Sequence, residues 1–492
     1  MRTIIQAFID GGCKNPQGFP AIYPQSVNLV NGGAVFMIRG ENEDWLVATN
    51  RLGFHGENMG GWLLCPLNHE NAQRLRTLFP FTAPSRVLGK QRSLGMGDRL
   101  GIATPGHIRA FLQYDAYPVF AQQSMRELVF TERTYEEVLD CATFAVFREN
   151  FRRPFGADGD HLKTGSEIEY ALNCGYTMIT LDCSEHIKNE AAVMSADEVE
   201  AAYVPNAALE ERYLGKSFKV GNHIISFDRN TFKRACLIYN DAIAFAAEIY
   251  HKYFDGENAK ADFEISIDET SGTTTPEQHF FFADRLNTMG VKPCTLAPRF
   301  CGEFQKAVDY IGDISEFENE LAVHVAIAEH FGYKISVHSG SDKFSIYDII
   351  GKQTKGHFHL KTAGTSWLEA LSVIAEKDPA LYREIYAFAI SILPDAKKHY
   401  HISTDLTKLP EIDSMKDEEL AHTLKGNETR QLLHITFGYI LSEKGSDGKY
   451  LFRKRLYADW FAYADEYEKR LEKHIGRHLA MLYQGFDNKS DY

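Results

Sequence analysis

The chain has 492 residues, 44% hydrophobic and 24% charged, with 53 Lys plus Arg against 67 Asp plus Glu for a formal charge of −14. The apolar fraction is enough for a large core and excludes wholesale disorder. The acidic balance argues against a non-specific nucleic-acid binder but not against a small anionic ligand, because a pocket's local charge can oppose the net charge.

Residues 1–10 hold one Arg and an apolar run broken by Gln6, unlike a signal peptide. The longest apolar stretches, at 242–250 and 386–393, fall far short of the roughly 20 residues a membrane span needs. Eight scattered cysteines without a CxxC pair read as free thiols, not as a disulfide framework or a zinc ribbon. Together these features predict a cytoplasmic protein with no membrane or nucleic-acid partner, and leave a homo-oligomer open.

Residues 1–90 are turn-rich, with GG at 11–12, NPQG at 15–18, NGG at 31–33 and MGGW at 59–62 around short strand-like runs at 33–39 and 45–49. They are read as a β-rich N-terminal cap. From residue 91 the texture becomes strand, polar loop, helix, repeated. Strands are predicted at 93–96, 119–122, 155–158, 177–182, 263–267, 291–297, 334–338 and 357–361. The clearest helices between and after them lie at 105–113, 134–149, 165–173, 276–289, 315–331 and 366–375, with Pro105 and Pro276 in first turns and Gly290 and Gly332 at stops. Eight such units in series predict an α/β fold, a TIM-type (β/α)8 barrel over 91–375. A helical insertion at 186–262, with helices at 196–213 and 230–253, interrupts it, and a helical C-terminal region, 376–492, is expected to pack on its outside.

In such a barrel the catalytic groups belong at the C-terminal ends of the strands. The densest polar clusters fall there. The third strand ends in Asp158-Gly159-Asp160-His161-Leu162-Lys163, the fourth in Asp182, the fifth in Asp268-Glu269 and the sixth in Arg299. The seventh ends in His338 and leads to Asp342 and Lys343, and the eighth carries His357, His359 and Lys361 on one face. Alternation turns Ser336 and His338 inward, and likewise Glu264, Ser266 and Asp268, leaving Glu269 on the loop.

Imidazole and carboxylate converging from different strands suit a divalent transition metal such as Zn, Mn, Ni, Co or Fe. His161, His338 and His359 are the candidate ligands, with His357 an equal alternative to His359. Glu316, Glu320 and His324, at helical spacing, read as a solvent-facing helical surface. The loop Gly95-Met96-Gly97-Asp98-Arg99-Leu100-Gly101 superficially suggests dinucleotide binding, but its spacing is GxGxxxG and Asp98 would face a pyrophosphate. No nicotinamide is expected; Asp98 and Arg99 are read as substrate-binding, beside Gln123 and Ser124 at the end of the second strand. Lys163, Arg299, Lys343 and Lys361 near the same rim point to an anionic small substrate, and a planar Arg fork suits a carboxylate. Asp182 and Asp342 complete the substrate-binding candidates.

The strings SLGMGDRLGIATPGH (93–107), QQSMREL (122–128), GADGDHLKT (156–164), ISIDET (265–270) and SVHSGSDKFSIYDIIGK (336–352) together resemble the tagaturonate epimerases. The resemblance implies a TIM-type barrel, a divalent metal and interconversion of D-tagaturonate and D-fructuronate by inversion at C4. Position by position it implies Asp160 as a base, His161 and His338 as metal ligands and Glu269 as the second acid/base. His359 rests on strand geometry alone. In a 2-ketose acid the ketone acidifies C3 and the carboxylate acidifies C5, so C4 has no acidic proton. Without a nicotinamide, inversion there calls for C3–C4 cleavage and re-addition. The alternatives are a metal-dependent ketose 3-epimerase or aldose–ketose isomerase, and a barrel that binds a sugar acid without turning it over.

Overall fold

A computed structural model of the chain describes residues 1–49, 52–256, 259–362 and 364–486. Eight parallel strands, Arg92–Met96, Tyr117–Ser124, Gly156–Leu162, Met178–Asp182, Asp262–Ile267, Thr295–Pro298, Lys334–Val337 and Phe358–Thr362, close into a barrel in chain order. Phe358 pairs with Arg92 to seal it. This is the TIM-type barrel expected from the repeating pattern. The sixth strand starts four residues late because Pro293 lacks the N–H that a ladder needs. Reciprocal caps start three of the outer helices: Thr134 with Glu137, Thr164 with Glu167, and Thr275 with Gln278.

The N-terminal sheet runs Asn28–Val30, Gly33–Arg39, Asp44–Thr49, Trp62–Cys65, Glu57–Asn58. Turn signals concealed its two helices. Ile5 and Phe8 of Arg2–Asp10 cover one face with Phe36, Ile38 and Val47, while Ala72 and Leu75 of His69–Leu78 cover the other with Val35, Met37 and Leu46. Phe144 and Phe147 of the barrel helix Tyr135–Arg148 join the second cluster, docking the sheet on the barrel.

Two further expectations fail locally. The stretch 196–213 is two helices, Ala196–Ala202 and Ala207–Tyr213, because Pro205 disfavours helical geometry before it, and a hairpin of Ser217–Val220 and His223–Ser226 follows. Helix Ile314–Phe331 does not turn His324 to solvent: the ring is buried, Nδ1 to Nδ1 at 2.8 Å from His279, whose Nε2 lies 2.7 Å from the Tyr333 hydroxyl.

In the C-terminal region, helix Ala464–Gln484 packs along the outer helices Thr104–Phe111 and Tyr347–Thr354. Helix Asn427–Ile435 instead reaches the loop after the sixth strand, where Arg430 Nε donates to the Ala307 carbonyl at 2.8 Å. Among the described residues no helix is long and apolar enough to cross a membrane.

Candidate active site

The inward faces of the barrel strands bring one ammonium among three carboxylates. Lys361 Nζ lies 2.7 Å from Asp158, 2.5 Å from Asp160 and 3.3 Å from Glu264, and it donates to Thr180 Oγ1 at 2.6 Å. Burial would lower this lysine, but the three carboxylates raise it, so it is firmly cationic. Burial alone would raise Asp160; Lys361 and His161 outweigh it and hold the carboxyl well below the usual range. Asp158, with Asp160 and Glu264 beside it, is pushed up to about 6 by burial despite Lys361.

Above this layer sit His161, His338 and Asp268, each offering one donor atom, the three within 4.8 Å of one another. Alternation turns Asp160 inward and should turn His161 away. A register shift between Gly159 and Leu162, with His161 at φ 55°, lets both side chains reach the site. Ser339, Ala307 and Asp342 also have positive φ, at 49°, 65° and 58°. With His161 these make four of the ten non-glycine residues of positive φ among the described residues, backbone strain of the kind that functional sites can hold.

His338 Nε2 lies 2.8 Å from Glu264, which fixes the tautomer and leaves Nδ1 facing Asp268 at 3.2 Å. His161 Nδ1 is 3.1 Å from Asp160 and its Nε2 is 3.6 Å from Glu269, so two carboxylates bracket one imidazole. Yet His161 Nδ1, His338 Nδ1 and Asp160 Oδ1 are buried and not aligned for any hydrogen bond. Burial would lower both imidazoles, but Asp160 raises His161 and Asp268 with Glu264 raises His338. Close but misaligned lone pairs in strongly negative surroundings fit a cation shared by His161, His338 and Asp268. Each imidazole has a carboxylate on its other nitrogen, the arrangement usual for metal-binding histidines.

The remaining candidates divide. His359 is two residues deeper along its strand than Lys361, with Nδ1 2.8 Å from Ser93 Oγ; Asp268, not His359, completes the converging trio. Burial beside Lys334 and Lys361 pulls His359 down to about 3. His357 precedes the strand and is exposed. Glu269 stands on its loop with 54% of its side chain exposed. Asp98 accepts from the amides of Leu100, Gly101 and Ala103, organising its own loop. Arg99 is buried against Glu127 and stacked 3.7 Å over Phe437. Ser124 caps helix Met125–Thr131, and Asp182 accepts from the Ser184 amide. Lys163 pairs with Glu185 at 3.3 Å and Asp182 at 3.8 Å. Asp342 faces away toward Arg430, His474 and His478. Lys343 donates to the carbonyls of Gln305, Val308 and Ser341. Arg299 is half-buried and does not line the pocket.

The pocket wall holds Gln122, Asp160, His161, Lys306, His338 and Lys361 among others. Gln122 and Lys306 escaped selection by sequence. Gln122 was signalled by its neighbour: a Cβ at Gly95 would come 1.7 Å from Gln122 Oε1, so that glycine makes room for the amide. The Gln123 amide is buried with no hydrogen-bond partner among the described residues.

A sequence model of the tagaturonate epimerase family matches residues 23–482. The chain belongs to that family. It is 41% identical over 424 residues to the tagaturonate/fructuronate epimerase of Thermotoga maritima, covering 86% of each chain. The crystal structure of fructuronate-tagaturonate epimerase from Cohnella laeviribosi, in its native form, superimposes with a TM-score of 0.93 at 45% identity, covering 97% of this chain and 99% of that one. Its complex with one glycerol matches equally well.

Proposed function

We propose that the protein interconverts D-tagaturonate and D-fructuronate by inverting C4 through cleavage and re-formation of the C3–C4 bond. The observation that carries this reading is the pair of carboxylates, Asp160 and Glu269, on opposite nitrogens of His161 beside His338 and Asp268. The family to which the chain belongs supports the same reaction.

His161, His338 and Asp268 would hold a divalent cation, which supplies positive charge against the negative charge that grows on the ketone oxygen as the carbon–carbon bond opens. Asp160, ionised beside Lys361 and lining the pocket, would accept the C4 hydroxyl proton. Electrons of the C3–C4 bond then pass into the C2–C3 unit and leave an aldehyde at C4. After the aldehyde turns its other face, the bond re-forms and a proton returns to the C4 oxygen. Glu269, on the far side of His161 and reachable from solvent, would handle that proton on the second face. Gln122 and Lys361 line the space in which the fragment must stay oriented.

Turnover of D-tagaturonate in heavy water tests the route. Fructuronate should form with no deuterium at C4. Deuterium at C4 would instead mean direct proton abstraction, and deuterium at C3 or C1 would support the 3-epimerase or aldose–ketose isomerase alternative.

A further inference from the structure

A hexuronate differs from a neutral hexose by one carboxylate, and a cation that is not already neutralised gives that group its strongest hydrogen bonds. The cations expected at the rim are otherwise engaged or outside the pocket: Lys361 among three carboxylates, Lys343 on three carbonyls, Lys163 between Asp182 and Glu185, and Arg299 away from the pocket wall.

Lys306 is different. It sits on the loop between the sixth strand, Thr295–Pro298, and helix Ile314–Phe331, and it lines the pocket with Asp160, His161 and His338. Its Nζ donates to Ser339 Oγ at 2.9 Å, beside the proposed ligand His338. Among the described residues no carboxylate lies within ion-pair distance of it. Burial lowers the ammonium from the usual lysine range; Glu269 and Glu127 oppose that shift, while Arg126 and Arg99 add to it.

The loop holds Lys306 in place before any ligand arrives. Ala307 adopts φ 65°, and Arg430 Nε donates to its carbonyl at 2.8 Å. Gln431 Nε2 reaches the Lys306 carbonyl at 3.3 Å, and Lys343 grips the carbonyls of Gln305 and Val308. A side chain presented on so constrained a loop loses little further freedom on binding.

We infer that Lys306 holds the carboxylate of the substrate and makes the site selective for sugar acids over neutral ketoses. The inference rests on the uronate reading of the site. The ammonium and the Ser339 hydroxyl present adjoining donors to the acid group, and the half-buried position strengthens the charge–charge attraction relative to open solvent.

Lys306→Met and Lys306→Arg test it in the enzyme as purified. KM and kcat are measured on D-tagaturonate, together with competition by the matching neutral ketose, which carries a primary alcohol in place of the carboxylate. The Met variant should raise KM for the acid about thirtyfold, keep kcat within about fivefold, and shift the neutral ketose's inhibition constant less than about threefold. The Arg variant should bring KM back to within about tenfold of wild type, and both variants should keep their metal by elemental analysis. A KM within about threefold of wild type in the Met variant, or equal losses for acid and neutral ketose, overturns the assignment. Should the Met variant fail to fold, Lys306→Gln takes its place, and the same changes in KM support or overturn the assignment. A wild-type enzyme inert toward D-tagaturonate is a separate result, which refutes the uronate reading itself.

Discussion

At the scale of single residues, the site separates the groups that would hold a cation from those that move protons. His338 has one nitrogen tied to Glu264 and the other turned to Asp268, so removing the ring takes away a donor facing Asp268 and also a partner of Glu264 in the Lys361 cluster. His338→Ala should therefore lose metal by elemental analysis, and stoichiometric metal in that variant would show the ligand set to be wrong. Asp160→Asn keeps the shape beside His161 and loses the basic oxygen. It should keep its metal and lose about 10²- to 10⁴-fold in kcat, the range typical of a general base. The motif around Asp160 and His161 was legible in the sequence. The aim of the His161 side chain was not, because a register shift and a positive φ override strict alternation. His359 illustrates the converse: it keeps to its strand's alternation, but it lies one inward position too deep to join His161 and His338.

At the scale of elements, the C-terminal helix Ala464–Gln484 is registered on the barrel by glycines that permit close approach. A Cβ at Gly351 would stand 2.0 Å from the Leu482 carbonyl oxygen, and one at Gly106 would stand 2.6 Å from Leu471 Cβ. In both places the opposing atoms belong to a packed helix that cannot simply swing aside. Gly351→Ala should thus cost about 1–3 kcal/mol, read from the midpoint shift in chemical denaturation with an unchanged slope. An unshifted midpoint would mean that the two helices slide freely. The barrel strands and outer helices were legible because each follows a 2.0 or 3.6 residue period with clear caps. The two N-terminal helices are hidden by flanking turn residues, and the break before Pro205 lies in a stretch that otherwise keeps helical period.

At the scale of the whole molecule, the formal charge of −14 sums buried and exposed groups alike, and the interior also holds histidines that burial lowers, among them His107, His279, His359 and His434. His107 is fully buried with Nε2 2.9 Å from Ser366 Oγ, near Asp98, His474 and His478. Burial lowers it to about 4, with Asp98 opposing and the two histidines assisting. A depressed imidazole is neutral in the folded chain while the unfolded chain takes up a proton near pH 6.5. Its contribution is therefore intact above that pH and is lost as pH falls toward 4, at about 1.4 kcal/mol per pH unit for the one proton. His107→Gln should lose less stability than wild type between pH 6.5 and 4.5, followed by denaturant titration at each pH. Parallel curves would show that His107 does not titrate differently in the two states.

Local pattern determined the order of eight strand–helix units, the polar clusters at the strand ends, and the resemblance that pointed to a uronate. These are properties of period and motif, which survive without knowledge of what packs on what. Tertiary structure decided which charges remain free to act. The four cations singled out along the chain proved to be engaged by neighbours or set apart from the pocket. Lys306, on a loop with no pattern of its own, was left facing it with no ion pair among the described residues. Whether a charge is already neutralised depends on groups far apart in sequence, and only the closed barrel and the C-terminal region brought against its rim place those groups side by side.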